Sequence, residues 1–203
     1  MKLISYNIHK GTDEFRRVTL FQVIGYLKSL DCDIICLQEV LYYQFKLMKK
    51  LLKMDGIFGL HVNNKNMKFG ICILSKNKIT RSEHVLLSSK KEQRGLLSID
   101  VGNFNFINTH LGLDKQERNI QISEILDFAK IQNKSTVICG DFNDKNISLT
   151  SYEDVAQYVC KDFYPTFKTS RIDYIFVSKI INIKSYEVDE VFYSDHFPII
   201  AEI

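Results

Sequence analysis

The stretch TVICGDFN, residues 136–143, decides the fold of this chain. Its first four residues are apolar or β-branched and predict a short buried strand, and Asp141 and Asn143 follow where that strand ends. Strand ends of this kind meet at one edge of a sheet, where loops present side chains to a ligand. Three other apolar runs lead in the same way to a polar residue: Asn7, Glu39 and His110. The sequence therefore predicts a polar site at that edge.

A further carboxylate fits the same site from the other direction. Asp173 begins the apolar run IDYIFV, so it reaches this edge only if its strand runs antiparallel to the others. Each polar residue also has a structural interpretation: Asn7 can cap a turn, Glu39 can favour the start of a helix, and His110 can be a buried core histidine. Their joint occurrence at strand ends favours a functional site.

Strand-like and helical runs alternate outward from this stretch, without a linker, a repeat or a low-complexity segment. Helices are predicted at 15–30, 42–53, 115–131 and 152–159. Strands are predicted at 2–6, 33–37, 57–62, 69–74, 79–86, 96–101, 104–108, 136–139, 172–177, 183–188 and 199–202. The five strands from 57 to 108 have no long helix between them and predict an antiparallel meander. Asp114, three residues before Glu117, resembles a capping box for the third helix.

These elements predict an α/β fold in which two mixed β-sheets pack face to face with helices outside, as one domain over residues 1–203. A chain of 203 residues can bury roughly 70% of the surface its unfolded form exposes, so it needs no disulfide or structural metal. The five cysteines make an odd number without a CxxC pair and are predicted to be buried, reduced thiols.

The net charge of +3 conceals a basic block between Lys46 and Arg94, which contains twelve Lys or Arg residues and three acidic ones. Within it, four lysines have the spacing of one helix face: Lys46, Lys49, Lys50 and Lys53. This face is either a solvated surface or a surface that binds a polyanion or an anionic membrane. Tyr42 and Tyr43 lie beside it and could stack on nucleic-acid bases, since the chain has no Trp.

The candidate site residues have the chemistry of metal-assisted hydrolysis. Five of them offer hard oxygen donors suited to Mg²⁺ or Mn²⁺: Asn7, Glu39, Asp141, Asn143 and Asp195. His110 and His196 add imidazoles, one to serve as a general base for water and one to stabilise the leaving oxygen. As structural alternatives, Asp141 with Asn143 can form an Asx turn and Asp195 with His196 an ordinary polar loop.

Six short motifs resemble those of the endonuclease/exonuclease/phosphatase superfamily, in the same order along the chain. They are SYN at 5–7, LQE at 37–39, THL at 109–111, GDFN at 140–143, RIDYIF at 171–176 and SDHFP at 194–198. GDFN and SDH together are specific for this superfamily, and the surrounding sequence is most similar to that of its small bacterial members. The resemblance implies a four-layer α/β sandwich of the deoxyribonuclease I type.

The resemblance also implies a Mg²⁺ site and a catalytic histidine. The metal would be held chiefly by Glu39 with help from Asn7 and Asp195. His196 would act as the base or as the imidazole that polarises the phosphate, and the carboxylate of Asp173 would fix its tautomer.

The remaining roles follow from the same resemblance. Asp141 would position or deprotonate the attacking water, and Asn143 would donate to a nonbridging oxygen. His110 stands where the deoxyribonuclease I branch has its second catalytic histidine. Arg94 stands where family members place a phosphate-binding arginine; the structural alternative is a surface salt bridge. His9 stands where the abasic-site enzymes have an acidic ligand, which disfavours abasic-site specificity.

The predicted function is therefore a Mg²⁺-dependent phosphodiesterase that cleaves nucleic acid with low sequence specificity. The alternative is a phosphoesterase for a phospholipid, or for a small sugar or inositol phosphate, at an anionic membrane surface. A catalytically silent binding protein is disfavoured by the complete set of metal and imidazole groups. We expect a cytoplasmic monomer without an obligate protein partner, because the first ten residues do not form a signal peptide and the longest apolar run, Phe69–Leu74, is too short for a membrane span.

Overall fold

A computed structural model describes residues 1–64 and 67–203 of the chain, and over these ranges it has four α-helices and twelve strands. The helices are α1 (Leu20–Leu30), α2 (Tyr42–Leu52), α3 (Lys115–Lys130) and α4 (Val155–Tyr158). The strands are β1 (Lys2–Asn7), β2 (Ile34–Leu41), β3 (Asp55–Asn64), β4 (Met67–Ser75), β5 (Arg81–Leu87), β6 (Arg94–Val101), β7 (Phe104–His110), β8 (Ser135–Asp141), β9 (Tyr152–Asp154), β10 (Asp173–Ser178), β11 (Ser185–Val188) and β12 (Ile199–Glu202).

The strands form two six-stranded sheets, which confirms the predicted sandwich. The first sheet has the order β11-β12-β1-β2-β4-β3 and the second β5-β6-β7-β8-β10-β9. Both are mixed, because β1 pairs with β2 and β7 with β8 in parallel, while the other pairs are antiparallel. One apolar core joins facing residues of the two sheets, such as Leu3 and Ile73 with Ile99 and Val137.

Helices cover the outer faces of both sheets and complete four layers. Val23 and Leu27 of α1 and Met48 of α2 pack in one buried cluster with residues of the first sheet. Ile125 and Ala129 of α3 pack in another cluster with residues of the second sheet. Burial of these apolar stripes is the main force that holds each helix on its sheet, because isolated helices of this length are marginal in water.

The strand directions bring the predicted polar residues to one edge of the sandwich. In the second sheet Asp141, the last residue of β8, is paired with His110 of β7 and with Asp173 of β10. Because β10 is antiparallel to β8, Asp173 begins its strand at the edge where β7 and β8 end. This orientation meets the condition under which the sequence allowed Asp173 to reach this edge.

The predicted meander over 57–108 is wrong, because its strands are divided between the sheets. β3 and β4 belong to the first sheet and β5, β6 and β7 to the second. The connection between them is fixed at both ends, where Lys76 N donates to Asp33 O and Thr80 N donates to Asp100 O. Strand periodicity reports which residues are buried and does not report which sheet receives them.

Two predicted helices are shorter in the structure. The helix predicted at 15–30 begins at Leu20, because the carboxylate of Asp13 accepts hydrogen bonds from Phe15 N and Arg17 N and holds these residues in a turn. The helix predicted at 152–159 is β9 followed by the single turn of α4, which Asp154 caps through Ala156 N. The start of α3 agrees with the prediction, since Asp114 accepts from Glu117 N at 2.9 Å.

Two surface predictions need correction. Four of the five cysteines are buried and all are free thiols, whereas Cys160 is exposed. Among the lysines of the α2 face, Lys49 donates hydrogen bonds from Nζ to the carboxylate of Asp55 and to Gly56 O, so its ammonium group is not free in solvent. Lys65, another member of the basic block, lies outside the described residues.

No helix in the described ranges is long and apolar enough to span a membrane. The cytoplasmic location and the monomeric state stay predictions.

Candidate active site

The carboxylate of Asp141 lies at the centre of the polar cluster at the sandwich edge. Its Oδ2 accepts a hydrogen bond from Asn7 Nδ2 at 3.0 Å and lies 3.4 Å from His110 Nε2 and 3.7 Å from His196 Nε2. Asn7 ends β1 in the first sheet, whereas Asp141 and His110 end strands of the second sheet. The structure therefore brings four of the predicted site residues together across the two sheets.

His196 is hydrogen-bonded to Asp173, which is the pair that the family resemblance implied. Asp173 Oδ2 lies 2.9 Å from His196 Nδ1, and the imidazole ring packs 4.7 Å from the ring of Phe167. Thr166 holds the start of β10, since its Oγ1 accepts from the main-chain N–H groups of Ile172 and Asp173. These contacts leave Nε2 of His196 as the nitrogen that faces Asp141.

The two histidines of the site have opposite electrostatic environments. Burial disfavours the charged form of His196, but the carboxylate of Asp173, with those of Asp141 and Asp195, outweighs burial and raises the pKa of His196 to about 10. Burial and the nearby Arg94 guanidinium hold the pKa of His110 well below its usual range. These shifts favour the imidazolium form of His196 and the neutral form of His110 at neutral pH.

Asp141 is a carboxylate with a raised pKa. Burial, followed by the charge of Asp173, raises its pKa to about 7, although the His196 imidazolium and the hydrogen bonds from Asn143 N and Asn7 act in the other direction. A carboxylate with this pKa can both accept and release a proton near neutral pH.

Arg94 lies beside His110 and is buried, with only 7% of its surface exposed. Its Nη1 donates to Glu92 Oε1 at 2.6 Å and lies 3.2 Å from His110 Nδ1. Its Nε is buried without a hydrogen-bond partner. A buried guanidinium with an unused donor is suited to an anionic group of a ligand.

The GDFN motif has a backbone reason for its glycine. Gly140 has φ +144°, and a Cβ atom there would overlap the carbonyl oxygen of Thr109 on β7. Asn143 follows in the left-handed region with φ 52°, where its N–H donates to Asp141 Oδ1 at 2.9 Å. One hydrogen of the Asn143 side chain is used by Leu111 O, which leaves the second amide hydrogen as a donor.

The predicted metal ligands Glu39 and Asp195 are partly exposed, whereas Asp141 and His196 are buried. Glu39 does not follow the end of its strand as expected, since β2 continues to Leu41 and Glu39 lies in it at φ 53° where the pairing register shifts. Glu39 Oε2 is 3.5 Å from Lys10 Nζ, and Asp195 Oδ1 is 3.6 Å from His9 Nδ1.

Glu39, Asp195 and Asn7 offer the oxygen atoms that a hard divalent cation prefers. Glu39 and Asp195 do not belong to the group of potential ligands that the described residues bring within 4.8 Å of one another. Glu39 and Asp195 are partly exposed carboxylates whose ion pairs are long, so a cation can replace either partner. Asn7 Oδ1 accepts from His9 N and adds a neutral oxygen at the same turn. Within the described ranges, the three groups that come within 4.8 Å of one another are those of Asp141, Asp173 and His196, of which the last two are already hydrogen-bonded to each other.

Several residues of the site have no signal in the sequence. Lys10 reaches Glu39 from a turn in which His9, Lys10 and Gly11 all have positive φ. Behind the site, Gln38 Nε2 donates to Asn108 Oδ1 at 2.7 Å and so joins the two sheets. Gln38 belongs to the LQE motif and Asn108 precedes THL, so proximity to a motif is the one cue that could have indicated them.

Comparison with known proteins gives a consistent result. The sequence profile of the Endonuclease/Exonuclease/phosphatase family matches residues 4–196. The chain is 25% identical over 170 residues to YbhP of Escherichia coli, an uncharacterised protein, and the match covers 70% of this chain and 66% of that protein.

Solved structures share the fold at low identity. A mannosyl-6-phosphatase of Bacteroides thetaiotaomicron is 21% identical with a TM-score of 0.82, and the match covers 100% of this chain and 98% of the other. TDP2 of D. rerio in complex with a single-strand DNA product is 19% identical with a TM-score of 0.79, with coverage of 99% and 97%.

Proposed function

Since the chain belongs to the endonuclease/exonuclease/phosphatase family, we propose that it is a Mg²⁺-dependent phosphodiesterase that cleaves nucleic acid with little sequence preference. Members of this family hydrolyse phosphoester bonds, and the proposal specifies the metal and the substrate for that general activity. The observation that carries the proposal is the arrangement around Asp141 Oδ2, which has an amide donor, a neutral imidazole and an imidazolium within 3.7 Å.

The metal requirement rests on the donor set. Glu39 would hold Mg²⁺, with Asn7 and Asp195 as further ligands, and the bound ion supplies neutralisation of charge on the phosphate oxygens. Mn²⁺ has the same preference for oxygen ligands and is a possible substitute.

Asp141 is the group suited to take the proton of the attacking water. Its pKa of about 7 allows the ionised form at neutral pH, and its Oδ1 is held by Asn143 N so that Oδ2 faces the site. The water oxygen forms the new bond to phosphorus while its proton passes to Asp141 Oδ2. The bond from phosphorus to the leaving oxygen breaks, and that oxygen keeps the bonding electron pair and takes a proton from solvent.

His196 is better suited to polarise the phosphate than to act as the base. A group that carries its proton until about pH 10 donates at neutral pH and does not accept. Its Nε2–H can therefore stabilise the charge that develops on phosphate oxygens, together with the free amide hydrogen of Asn143. The Nε2 of His110 and the guanidinium of Arg94 supply further donors on the side of the second sheet.

Nucleic acid is the favoured substrate because Arg94 of the basic block lies 3.2 Å from His110 and because the structurally similar TDP2 binds a single-strand DNA product. A sugar-phosphate monoesterase is the second candidate, since the structurally similar protein of Bacteroides thetaiotaomicron is a mannosyl-6-phosphatase. If the substrate lay at an anionic membrane surface, the exposed lysines Lys46 and Lys50 of α2 would contact that surface.

The test is hydrolysis of plasmid DNA, of bis(p-nitrophenyl) phosphate and of mannose 6-phosphate, each with Mg²⁺ and with EDTA. Cleavage of DNA with Mg²⁺ that is lost in Asp141→Asn and retained in the surface variant Asp127→Asn supports the proposal. Phosphate release from the sugar monoester without cleavage of either diester replaces it by the second candidate. No Mg²⁺-dependent hydrolysis of any of the three contradicts both.

A further inference from the structure

A groove next to the candidate active site has a composition that the hydrolytic chemistry does not explain. It has a volume of about 540 Å³, which is in the range of small-ligand pockets. That groove is lined by Lys10, Leu41, Tyr42, Tyr43, Met67 and Lys68. We call it the lysine–tyrosine groove. Its lining combines two ammonium groups with two aromatic rings and contains no acidic residue.

The two walls of the groove are joined by a buried side chain. Gln44 Nε2 donates to Lys10 O at 2.6 Å, and Gln44 Oε1 accepts from Leu41 N at 3.0 Å. This side chain thereby ties the turn that carries Lys10 to the start of α2. Gly11 allows the approach, since a Cβ atom there would lie 2.8 Å from Gln44 Nε2. The position of these two walls is therefore fixed, because the side chain of Gln44 is hydrogen-bonded to the main chain of both.

The aromatic wall is rigid on one side and open on the other. The ring of Tyr42 packs 5.3 Å from Phe58 and 6.2 Å from Phe45, measured between centroids. Lys46 Nζ and Lys68 Nζ lie 5.1 Å and 5.8 Å from the centre of the same ring. Tyr43 is 60% exposed, so its ring is available to a ligand.

The groove is continuous with the phosphoesterase site. Lys10 lines it and also lies 3.5 Å from Glu39, and Leu41 follows Glu39 by two residues on the same strand. A ligand whose phosphate is held through a cation at Glu39 can therefore extend past Lys10 into the groove. The group that enters would meet aromatic faces and cations, which together favour a nucleobase with its phosphate.

We propose that the lysine–tyrosine groove binds the nucleotide that flanks the scissile phosphate in a single strand of nucleic acid. This inference rests on the proposed function. The base stacks on Tyr43 at the rim of Tyr42, and the backbone phosphate lies between Lys10 and Lys68. Stacking accepts every base because each base has a π face, so the groove gives affinity for single strands without sequence preference.

The absence of Trp from the sequence allows a clean test. Tyr43→Trp places a single tryptophan in the groove, and Tyr158→Trp places one on α4 at a site that is 57% exposed. In EDTA, which prevents metal-dependent cleavage, oligo(dT) is added to each variant. An abasic oligonucleotide of the same length and charge is added in parallel, and binding is measured by the anisotropy of a labelled strand.

We expect oligo(dT) to quench the emission of Tyr43→Trp at least twofold more than the abasic strand does, and neither strand to change the emission of Tyr158→Trp. Equal quenching by the two strands would overturn the proposal. Binding of oligo(dT) without any change in Tyr43→Trp emission would overturn it as well, as would a response of this emission to anionic phospholipid vesicles and not to oligo(dT).

The phosphate part of the proposal has its own measurement. Each phosphate contact on a single strand contributes about −0.7 to the slope of log affinity against log salt concentration. Lys68→Gln should make the slope shallower by about that amount, whereas Lys130→Gln on α3 should leave it unchanged. An unchanged slope in Lys68→Gln contradicts the phosphate contact. Hydrolysis of bis(p-nitrophenyl) phosphate by the unmodified protein reports the proposed function separately, since that substrate has no base.

Discussion

Nη1 of Arg94 lies 3.2 Å from Nδ1 of His110, and this contact fixes the tautomer of the histidine. A guanidinium has donors and no acceptor, so Nδ1 of His110 must accept the hydrogen bond. In the neutral ring the proton then resides on Nε2, the nitrogen that faces Asp141 Oδ2 at 3.4 Å. The arginine thus turns His110 into a donor aimed at the centre of the site.

Loss of this guanidinium should reduce catalysis. We expect Arg94→Met to lower kcat/KM for bis(p-nitrophenyl) phosphate by about 10–10²-fold, because the His110 tautomer is released and a donor for the phosphate is removed. Steady-state kinetics give the value. Arg81→Met, which breaks an exposed pair with Glu83, is the control and should retain its activity. Equal rates in Arg94→Met and Arg81→Met would contradict the assignment.

The carboxylate of Asp173 should be required for the charge on His196. We expect Asp173→Asn to lower turnover by about 10²-fold and to lower the pKa of His196, because the largest contribution that raises this pKa is removed. The imidazole resonances in an NMR pH titration measure the pKa directly. A pKa that stays near its value in the unmodified protein would show that Asp173 is not required for the charge on His196.

Metal binding can be followed without an activity assay. If Glu39 holds Mg²⁺, saturating Mg²⁺ should raise Tm by about 5 °C or more, because a ligand that binds the folded state stabilises it by mass action. Glu39→Gln should lose most of that shift, and the exposed-surface variant Glu14→Gln should keep it. The idea fails if Mg²⁺ raises Tm equally in Glu39→Gln and Glu14→Gln.

Gly140 should be far less replaceable than a glycine in an open turn. Gly140→Ala is expected to cost about 3 kcal/mol or more of unfolding free energy, since it combines an unfavourable φ with overlap on Thr109 O. Gly102 has φ +57° with no atom within 4 Å of a built Cβ, so Gly102→Ala should cost about 1 kcal/mol. Urea denaturation compares the two, and similar costs would refute the role given to Thr109.

His61 should make stability depend on pH. Burial, with the charges of His84 and Arg94, lowers the pKa of His61 from 6.5 to about 3, so between these values the unfolded chain binds a proton that the folded protein does not. Its contribution to stability is complete above pH 6.5 and is lost as the pH falls toward 3, with a slope of about 1.4 kcal/mol per pH unit at most.

His61→Leu isolates this contribution. The difference in unfolding free energy between the two proteins cancels the effect of Asp141, whose raised pKa acts in the opposite sense. Urea denaturation of both proteins between pH 4 and 7 should show a shallower dependence for the variant. Parallel curves over that range would mean that His61 is protonated equally in the folded and unfolded states.

The edge at which the site forms could be predicted from the sequence because strand ends are marked by local composition. Apolar runs that stop at Asn7, His110 and Asp141 report burial directly, and burial follows from side-chain chemistry alone. The antiparallel direction of the strand that starts at Asp173 followed from the same reasoning. The family motifs then supplied roles that composition cannot supply.

Other features depend on contacts between distant parts of the chain. The division of the meander between the sheets and the position of Glu39 inside β2 are set by pairing with remote strands, which leaves no local pattern. The turn at Lys10 has three successive residues of positive φ, and it is held by Gln44, which is 34 positions away. Such conformations are fixed by tertiary contacts and not by local propensity.

The hydrogen bond between Asn7 and Asp141 joins residues 134 positions apart that belong to different sheets. Neither sheet alone contains the site, so a partly folded chain with one sheet formed has secondary structure but no reaction centre. Pairings this distant in sequence form slowly. During refolding, far-ultraviolet circular dichroism should therefore recover first, and the ability to hydrolyse phosphoesters should return only when the two sheets have docked.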